Sequence, residues 1–158
     1  DFDPLTKTAK LRGMNLLKRA DQTEAGFRRK LRAGYYPEEC IEEAVRYVKS
    51  YRYIDDERYA RNYIAGHRDK KSRKQLFQEL ILRGISKEMA EEALEAEGET
   101  DEAALEKIAA RRCRNSNLRE AAEFRRQLRY LVSKGFEYDA ALSCLRRIRG
   151  GQSEEEAF

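Results

Sequence analysis

Apolar residues recur along most of this chain at intervals of three and four, the spacing of a single helix face, in short runs separated by turn residues. Leu5, Leu11, Met14, Leu16 and Leu17 predict a first helix that opens at Asp3-Pro4, an N-cap followed by proline in the first turn. Thr23 caps a second helix carrying Phe27 and Leu31, and Gly34 ends it. Pro37 opens a third, with Glu38 and Glu39 in its first turn and Ile41, Ala44, Val45 and Val48 as its inner stripe. The pattern then starts again. A helix over 55–69 holds Tyr59, Tyr63 and Ile64, Ser72 begins another with Leu76 and Leu80, and Gly84 closes it. Ser86 caps the next, with Ala90, Ala93 and Leu94 inward.

A third round follows. Thr100 caps a helix with Leu105 and Ile108, residues 118–134 form a long one with Phe124, Leu128 and Leu131, and Gly135 ends it. Phe136, Ala141 and Leu145 stand where Ile85, Ala90 and Leu94 stand one round earlier. Leu31 and Leu80 are 49 residues apart, and Leu80 and Leu131 are 51 apart. A period of this length marks a modular helical array, whose members bury their faces partly on their neighbours. The expected organisation is all-α, with three tandem three-helix repeats at 1–54, 55–99 and 100–150 in an elongated, curved array, followed by a frayed acidic tail at 151–158.

The first two repeats meet at Ser50–Ile64. Tyr51, Tyr53 and Ile54 close one unit, and Asp55 and Asp56 lie where the next helix needs an N-terminal cap. Tyr53, Asp55, Asp56 and Tyr59 are therefore read as structural junction residues. Six tyrosines (Tyr35, Tyr36, Tyr51, Tyr53, Tyr59 and Tyr63) crowd this region, and they are expected to pack between units with their hydroxyls reaching water.

Composition narrows the function classes. The charged share is 39% and the apolar set 41%, and no run approaches the roughly 18 apolar residues of a membrane span. The three cysteines, Cys40, Cys113 and Cys144, have no ligand spacing, and the apolar-face positions of Cys40 and Cys144 suit packed thiols. An odd count suits a reducing cytosolic compartment. The sequence holds no phosphate loop, dinucleotide glycine triplet, nucleophile elbow or zinc helix motif. His67 stands alone at a helix end. No catalytic residue, metal site or cofactor is assigned, and an enzyme is not expected.

The net charge is +4, but its distribution carries more information. Residues 1–54 sum to +4, 55–99 to −2, 100–150 to +5 and the tail to −3. Cations cluster on the middle helices and the turns before them: Arg28, Arg29 and Arg32, then Arg68, Lys70, Lys71, Arg73 and Lys74, then Arg111, Arg112, Arg125, Arg126 and Arg129. The third helices carry glutamates instead. This reads as a basic side facing phosphates or an acidic groove and an acidic side opposite, with part of the charge spent on pairs within helices.

The run Tyr53–Ala60 (YIDDERYA) resembles the signature between the first two repeats of RecX, the family of bacterial regulators of the recombinase RecA. Asn15–Leu31, Gln75–Leu94 and Leu128–Leu145 agree with it, as does Leu-Val-x-x-Gly-Phe at Leu131–Phe136. Three places depart from the family. Gly26-Phe27 stands where Glu-Leu is usual, Arg52 where a glycine precedes the Tyr-Ile-Asp-Asp element, and Lys70-Lys71-Ser72 where a glycine-rich turn is usual. The resemblance implies three tandem three-helix repeats that bind the RecA–DNA filament along its groove and usually block its recombinase and ATPase activities. Direct contact with single- or double-stranded DNA is expected to be weaker, no membrane partner is expected, and the chain is expected to act as a monomer. The family's motif residues are largely structural and supply no active site. Two rivals come from other classes: a sequence-specific DNA-binding regulator built on helix-turn-helix-like units, and a helical-repeat adaptor for another protein.

Overall fold

The computed structural model describes residues 4–156, with side chains through Gln152. Among them are nine helices and no strand: α1 Pro4–Arg19, α2 Glu24–Ala33, α3 Glu38–Ser50, α4 Asp56–His67, α5 Arg73–Leu82, α6 Lys87–Glu97, α7 Asp101–Arg112, α8 Ala121–Ser133 and α9 Tyr138–Glu156. The expected cap at Asp3 lies outside the described residues. The chain packs as two units, one holding Asp1–Tyr63 with Glu79–Ala93, the other Ile64–Gln78 with Leu94–Phe158.

The helix starts have a common chemistry. Thr23, Asp55, Ser72, Ser86 and Thr100 each accept the backbone N–H three residues on, at 3.0 to 3.2 Å. Each such bond satisfies a donor that the first turn leaves unpaired and stabilises its helix by about 1 kcal/mol. The helix ends are just as regular. In α2, α3, α5 and α8 the last turn closes with paired six-to-one and five-to-two bonds, for instance Ile85 N–H to Leu80 O and Gly84 N–H to Ile81 O. That closure needs one residue in the left-handed region. Gly84 (φ +92°) and Gly135 (φ +94°) supply it in α5 and α8, whereas Tyr35 (φ +63°) and Arg52 (φ +56°) supply it after α2 and α3. The turn for which the resemblance leads one to expect glycine is made here by Arg52 itself.

In the first unit, Phe27, Leu31, Ile41, Ala44 and Val48 form a fully buried core with Ala9 and Leu16. The inner face of α1 keeps Leu16, with Met14 and Leu17 packed against the core, but not Leu5 and Leu11. Thr6, Ala9, Gly13 and Leu16 are buried, while Leu5 and Leu11 are 50% and 60% exposed. Small residues face inward because the Phe27 ring fills the space beside Gly13.

In the second unit, Leu105, Ile108, Leu118, Leu131, Cys144 and Leu145 belong to a second core. α8 starts three residues later than the pattern predicts, because Leu118 is buried from a turn closed by Glu120 N–H on Asn117 O. The expected frayed tail is a further departure, since α9 runs on through Gly150 and Gly151 to Glu156. Gln152 holds it: its side-chain oxygen accepts Leu118 N–H at 3.0 Å and its amide donates to Ser116 O at 2.7 Å.

Candidate functional site

Each unit contains one junction between successive helical modules, and the two junctions are built alike. In the first, Thr23 Oγ1 donates to Arg83 O at 2.6 Å, and Glu24 N–H donates to an Asp56 carboxylate oxygen at 2.9 Å. In the second, Ser72 N–H donates to Lys134 O at 3.0 Å, and Arg73 N–H donates to an Asp101 carboxylate oxygen at 2.9 Å. The start of one module's middle helix therefore sits on the end of the next module's middle helix, and an acid from the next module's first helix caps it. Gly84 and Gly135 allow the approach. A β-carbon on Gly84 would lie 2.3 Å from Ala25 Cβ, and one on Gly135 would lie 2.2 Å from Ser72 Oγ. At the third corresponding position, Tyr35, no module among the described residues makes the contact, and its side chain is 94% exposed.

Asp55 and Asp56 take different tasks within the first junction. Asp55 caps its own helix through Arg58 N–H, while Asp56 caps α2, 32 residues upstream. Partial burial raises the Asp56 carboxyl above its ordinary pKa, against the pull of the Glu24 N–H. Lys49, 2.8 Å away, and then Arg28 hold the Glu24 carboxyl below its ordinary value, although burial works the other way.

The cations split into two sets. Arg68 does not belong to any exposed face: it is 4% exposed, within 3.0 Å of Asp101 and 3.5 Å of Glu97, and donates to the carbonyls of Lys71 and Glu99. Arg73 is half-buried at the same place, and Lys71 is half-buried with its carbonyl on Arg68. Arg28 pairs with Glu24 and Glu42, and Arg32 with Glu38 at 2.7 Å. The basic and acidic sides expected of α2 and α3 thus meet, because the two helices pack together and bring these positions opposite one another. Arg111 donates to Asp69 O at 2.7 Å, Arg112 lies 3.4 Å over the Tyr130 ring, and Arg126 grips Glu123 at 2.9 Å. Arg29, Lys70, Lys74, Arg125 and Arg129 remain exposed, with no side-chain partner among the described residues.

The tyrosines do not all pack between modules. Tyr59 and Tyr63 stack at 6.2 Å, with the Arg83 guanidinium 4.8 Å over Tyr63 and donating to the Tyr59 hydroxyl at 3.1 Å. Tyr36 is half-buried against the first core. Tyr35, Tyr51 and Tyr53 lie on the surface, 94%, 59% and 43% exposed, and Tyr47 joins the last two. Tyr35 and Arg52 are themselves the two left-handed residues other than glycine among the described residues, which composition alone does not reveal.

Three-helix modules joined through caps and glycine contacts make this an all-α helical-repeat protein. Two family models match it: the second three-helix domain of RecX over residues 55–94 and the third over 99–145. The chain belongs to the RecX family. It is 29% identical over 140 residues to the regulatory protein RecX of Clostridium perfringens, a match that covers 85% of this chain and 65% of that protein, so the chain spans just under two thirds of its length. It is 28% identical over 139 residues to that of Vibrio vulnificus, with 87% and 91% covered. It is 32% identical over 136 residues to that of Caldanaerobacter subterraneus, with 84% and 66% covered. The crystal structure of RecX from Lactobacillus salivarius superposes with a TM-score of 0.68 at 24% identity over 90% of this chain and 96% of that one. Another crystal structure of regulatory protein RecX gives 0.65 at 25% identity over 86% and 69%. These likenesses establish the fold. No helix among the described residues is long and apolar enough to cross a membrane.

Proposed function

We propose that this protein regulates the recombinase RecA, chiefly as an inhibitor, by lodging in the groove of the RecA–DNA filament. There it hinders strand exchange, or the nucleotide-dependent subunit movements that accompany ATP hydrolysis, and so tempers RecA-dependent DNA repair. The observation that carries this reading is membership of the RecX family, whose relatives bear the name regulatory protein. Supporting it on physical grounds is the set of arginines and lysines that the fold does not use internally.

The set of proposed contact residues is smaller than the sequence suggests. It keeps Arg29, Lys70, Lys74, Arg125 and Arg129 and leaves out Arg68, whose charge is spent inside the second unit. Exposed cations on a chain of mixed charge suit a nucleoprotein polymer better than an apolar partner.

Co-sedimentation with preformed RecA filaments across a salt series, alongside RecA's DNA-dependent ATPase, tests the reading. Wild type pellets with filaments and slows hydrolysis. Reversing Arg29, Lys74, Arg125 and Arg129 together weakens both effects by about tenfold or more, since each lost phosphate or carboxylate contact removes a salt-dependent factor. Undiminished inhibition by a folded quadruple variant refutes the surface, and absence of any response to RecA refutes the function. Tight, sequence-dependent binding to naked duplex would point instead to a sequence-specific DNA regulator.

A further inference from the structure

We propose that residues 150–156 of α9 form a hinged latch that closes on the turn before α8 and opens as one piece, with Gly150 and Gly151 as the hinge and Gln152 as the catch. The motion lies within the second unit and is independent of any recombinase.

The first observation is the hinge. Two adjacent glycines stand inside a 19-residue helix. The closed form needs neither of them. Among the described residues the glycines with positive φ are Gly84, Gly98 and Gly135, so Gly150 and Gly151 hold a backbone that any residue adopts. A β-carbon on either would meet nothing within 4 Å, whereas one on Gly84 or Gly135 would collide with a side chain. An interior glycine shifts the local balance from helix toward coil about fourfold relative to alanine, and the pair compounds to more than about tenfold. Packing in the closed helix gives no reason for that weakness. A second form that bends at this point does.

The second observation is the catch. The Gln152 side-chain oxygen accepts Leu118 N–H at 3.0 Å, and its amide donates to Ser116 O at 2.7 Å. Both partners are backbone groups, one on each side of Asn117, so a single side chain satisfies a donor and an acceptor together. Just before the hinge α9 is fixed: Ile148 packs against the second core, and the Arg149 guanidinium lies 4.8 Å over the Phe124 ring. Past it, Gly150 and Gly151 are exposed and Gln152 is half-buried. The helix is thus gripped on both sides of its weakest point, by packing on one side and by the Gln152 pair on the other.

The third observation is that the turn keeps a support of its own. Ser116 Oγ donates to the Glu123 carboxylate at 2.9 Å, which ties the turn to the first residues of α8 whether or not Gln152 is in place. Release of the catch therefore uncovers Ser116 O and Leu118 N–H without dismantling the turn, and residues 153–156 leave it together. Leu118 N–H becomes a reporter of the latch that lies outside α9. Local openings of this kind, confined to one stretch and below the energy of global unfolding, are the ordinary means by which a folded chain gains a second state.

Native-state hydrogen exchange of the full chain, read by NMR, tests the latch on wild type, on Gly150→Ala with Gly151→Ala, and on Gln152→Ala. In wild type, Leu118 N–H and the amides of residues 153–156 should show protection factors that agree within about threefold and lie at least about tenfold below that of Leu145, inside the fixed part of α9. The alanine pair should raise this whole set about tenfold, Leu118 included, although neither substitution touches Leu118. Gln152→Ala should lower Leu118 protection about fivefold or more. Leu145 should keep its wild-type protection in both variants, which shows that the fold is retained. Leu118 protection equal to that of Leu145 in wild type, or unmoved by the alanine pair, or unmoved by Gln152→Ala, would each overturn the latch and leave a helix end that frays residue by residue.

Discussion

Gly13 on α1 faces the Phe27 ring on α2 so closely that a β-carbon there would lie 2.5 Å from Phe27 Cζ and 2.7 Å from Cε2. Phe27 is fully buried, so the ring has little room to retreat. The two residues fit each other: an aromatic side chain sits where the family resemblance leads one to expect leucine, and a glycine leaves room for it on the facing helix.

Gly13→Ala should therefore destabilise the chain by about 1–2 kcal/mol, the overpacking cost less the gain in helix propensity. Phe27→Leu alone should cost about 1–2 kcal/mol through lost burial. The double variant should be more stable than the sum of the two single changes implies, by on the order of 1 kcal/mol. Urea midpoints for the four proteins measure the coupling, and simple additivity would show that the ring and the glycine are unconnected.

The same reasoning, applied to the four left-handed turns that close α2, α3, α5 and α8, divides them into two kinds. Gly84→Ala and Gly135→Ala each place a β-carbon within 2.3 Å of another side chain, besides straining the backbone, and each should cost about 2 kcal/mol or more. Tyr35→Gly and Arg52→Gly meet the opposite situation, with an exposed side chain and no closing contact to lose. Each should stabilise by about 0.5–1 kcal/mol, the relieved strain less the added freedom of the unfolded chain. For a chain of this size that is a rise of about 1–4 °C in Tm. Scanning calorimetry that found all four substitutions moving Tm the same way would contradict the division.

What was legible in the sequence was local. Thr23, Ser72, Ser86 and Thr100 announce helix starts, Gly84 and Gly135 announce ends, and leucines one period apart announce the repeat, because each effect acts within one turn of its cause. What was hidden depends on residues far apart in the chain. Leu5 and Leu11 suggested an inner face for α1 that Gly13 and Phe27 overrule. Asp56 looks like a cap for α4 but caps α2 instead. Arg68 reads as one more surface cation until Glu97, Asp101 and two carbonyls close around it. Gln152 gives no local sign that it will anchor α9 to a turn over 30 residues earlier.

Arg68 yields a prediction that separates structure from surface. Arg68→Ala empties a buried position and leaves Asp101, Glu97 and the Glu99 carbonyl without their cation; water reaches the two partly exposed carboxylates, so the loss should be about 1–3 kcal/mol. Arg29→Ala, on an exposed helix position, should stay within about 0.5 kcal/mol of wild type. Denaturant unfolding of both variants decides the matter. Equal stability of the two would mean that Arg68 is not the buried anchor its surroundings indicate.

The remaining prediction concerns acid. Glu123 accepts from Arg126 at 2.9 and 3.0 Å, from Gln127 at 2.8 Å and from Ser116 at 2.9 Å. Arg126 first, then Gln127 and Ser116, hold its carboxyl at about 2, well below the ordinary 4.5. A carboxyl depressed in the folded state binds its proton more readily when unfolded. Its stabilising contribution is therefore complete above the unfolded value of 4.5 and disappears as pH falls through about 2. Many other carboxyls titrate in that interval, so the pH profile of wild type alone does not isolate this one. The difference between wild type and Glu123→Gln does. Wild type should be the more stable at neutral pH, and the gap in urea midpoint should shrink steadily between about 4.5 and about 2. A gap that stays constant across that interval would mean that the carboxylate's charge takes no part in holding α8 to the Ser116 turn.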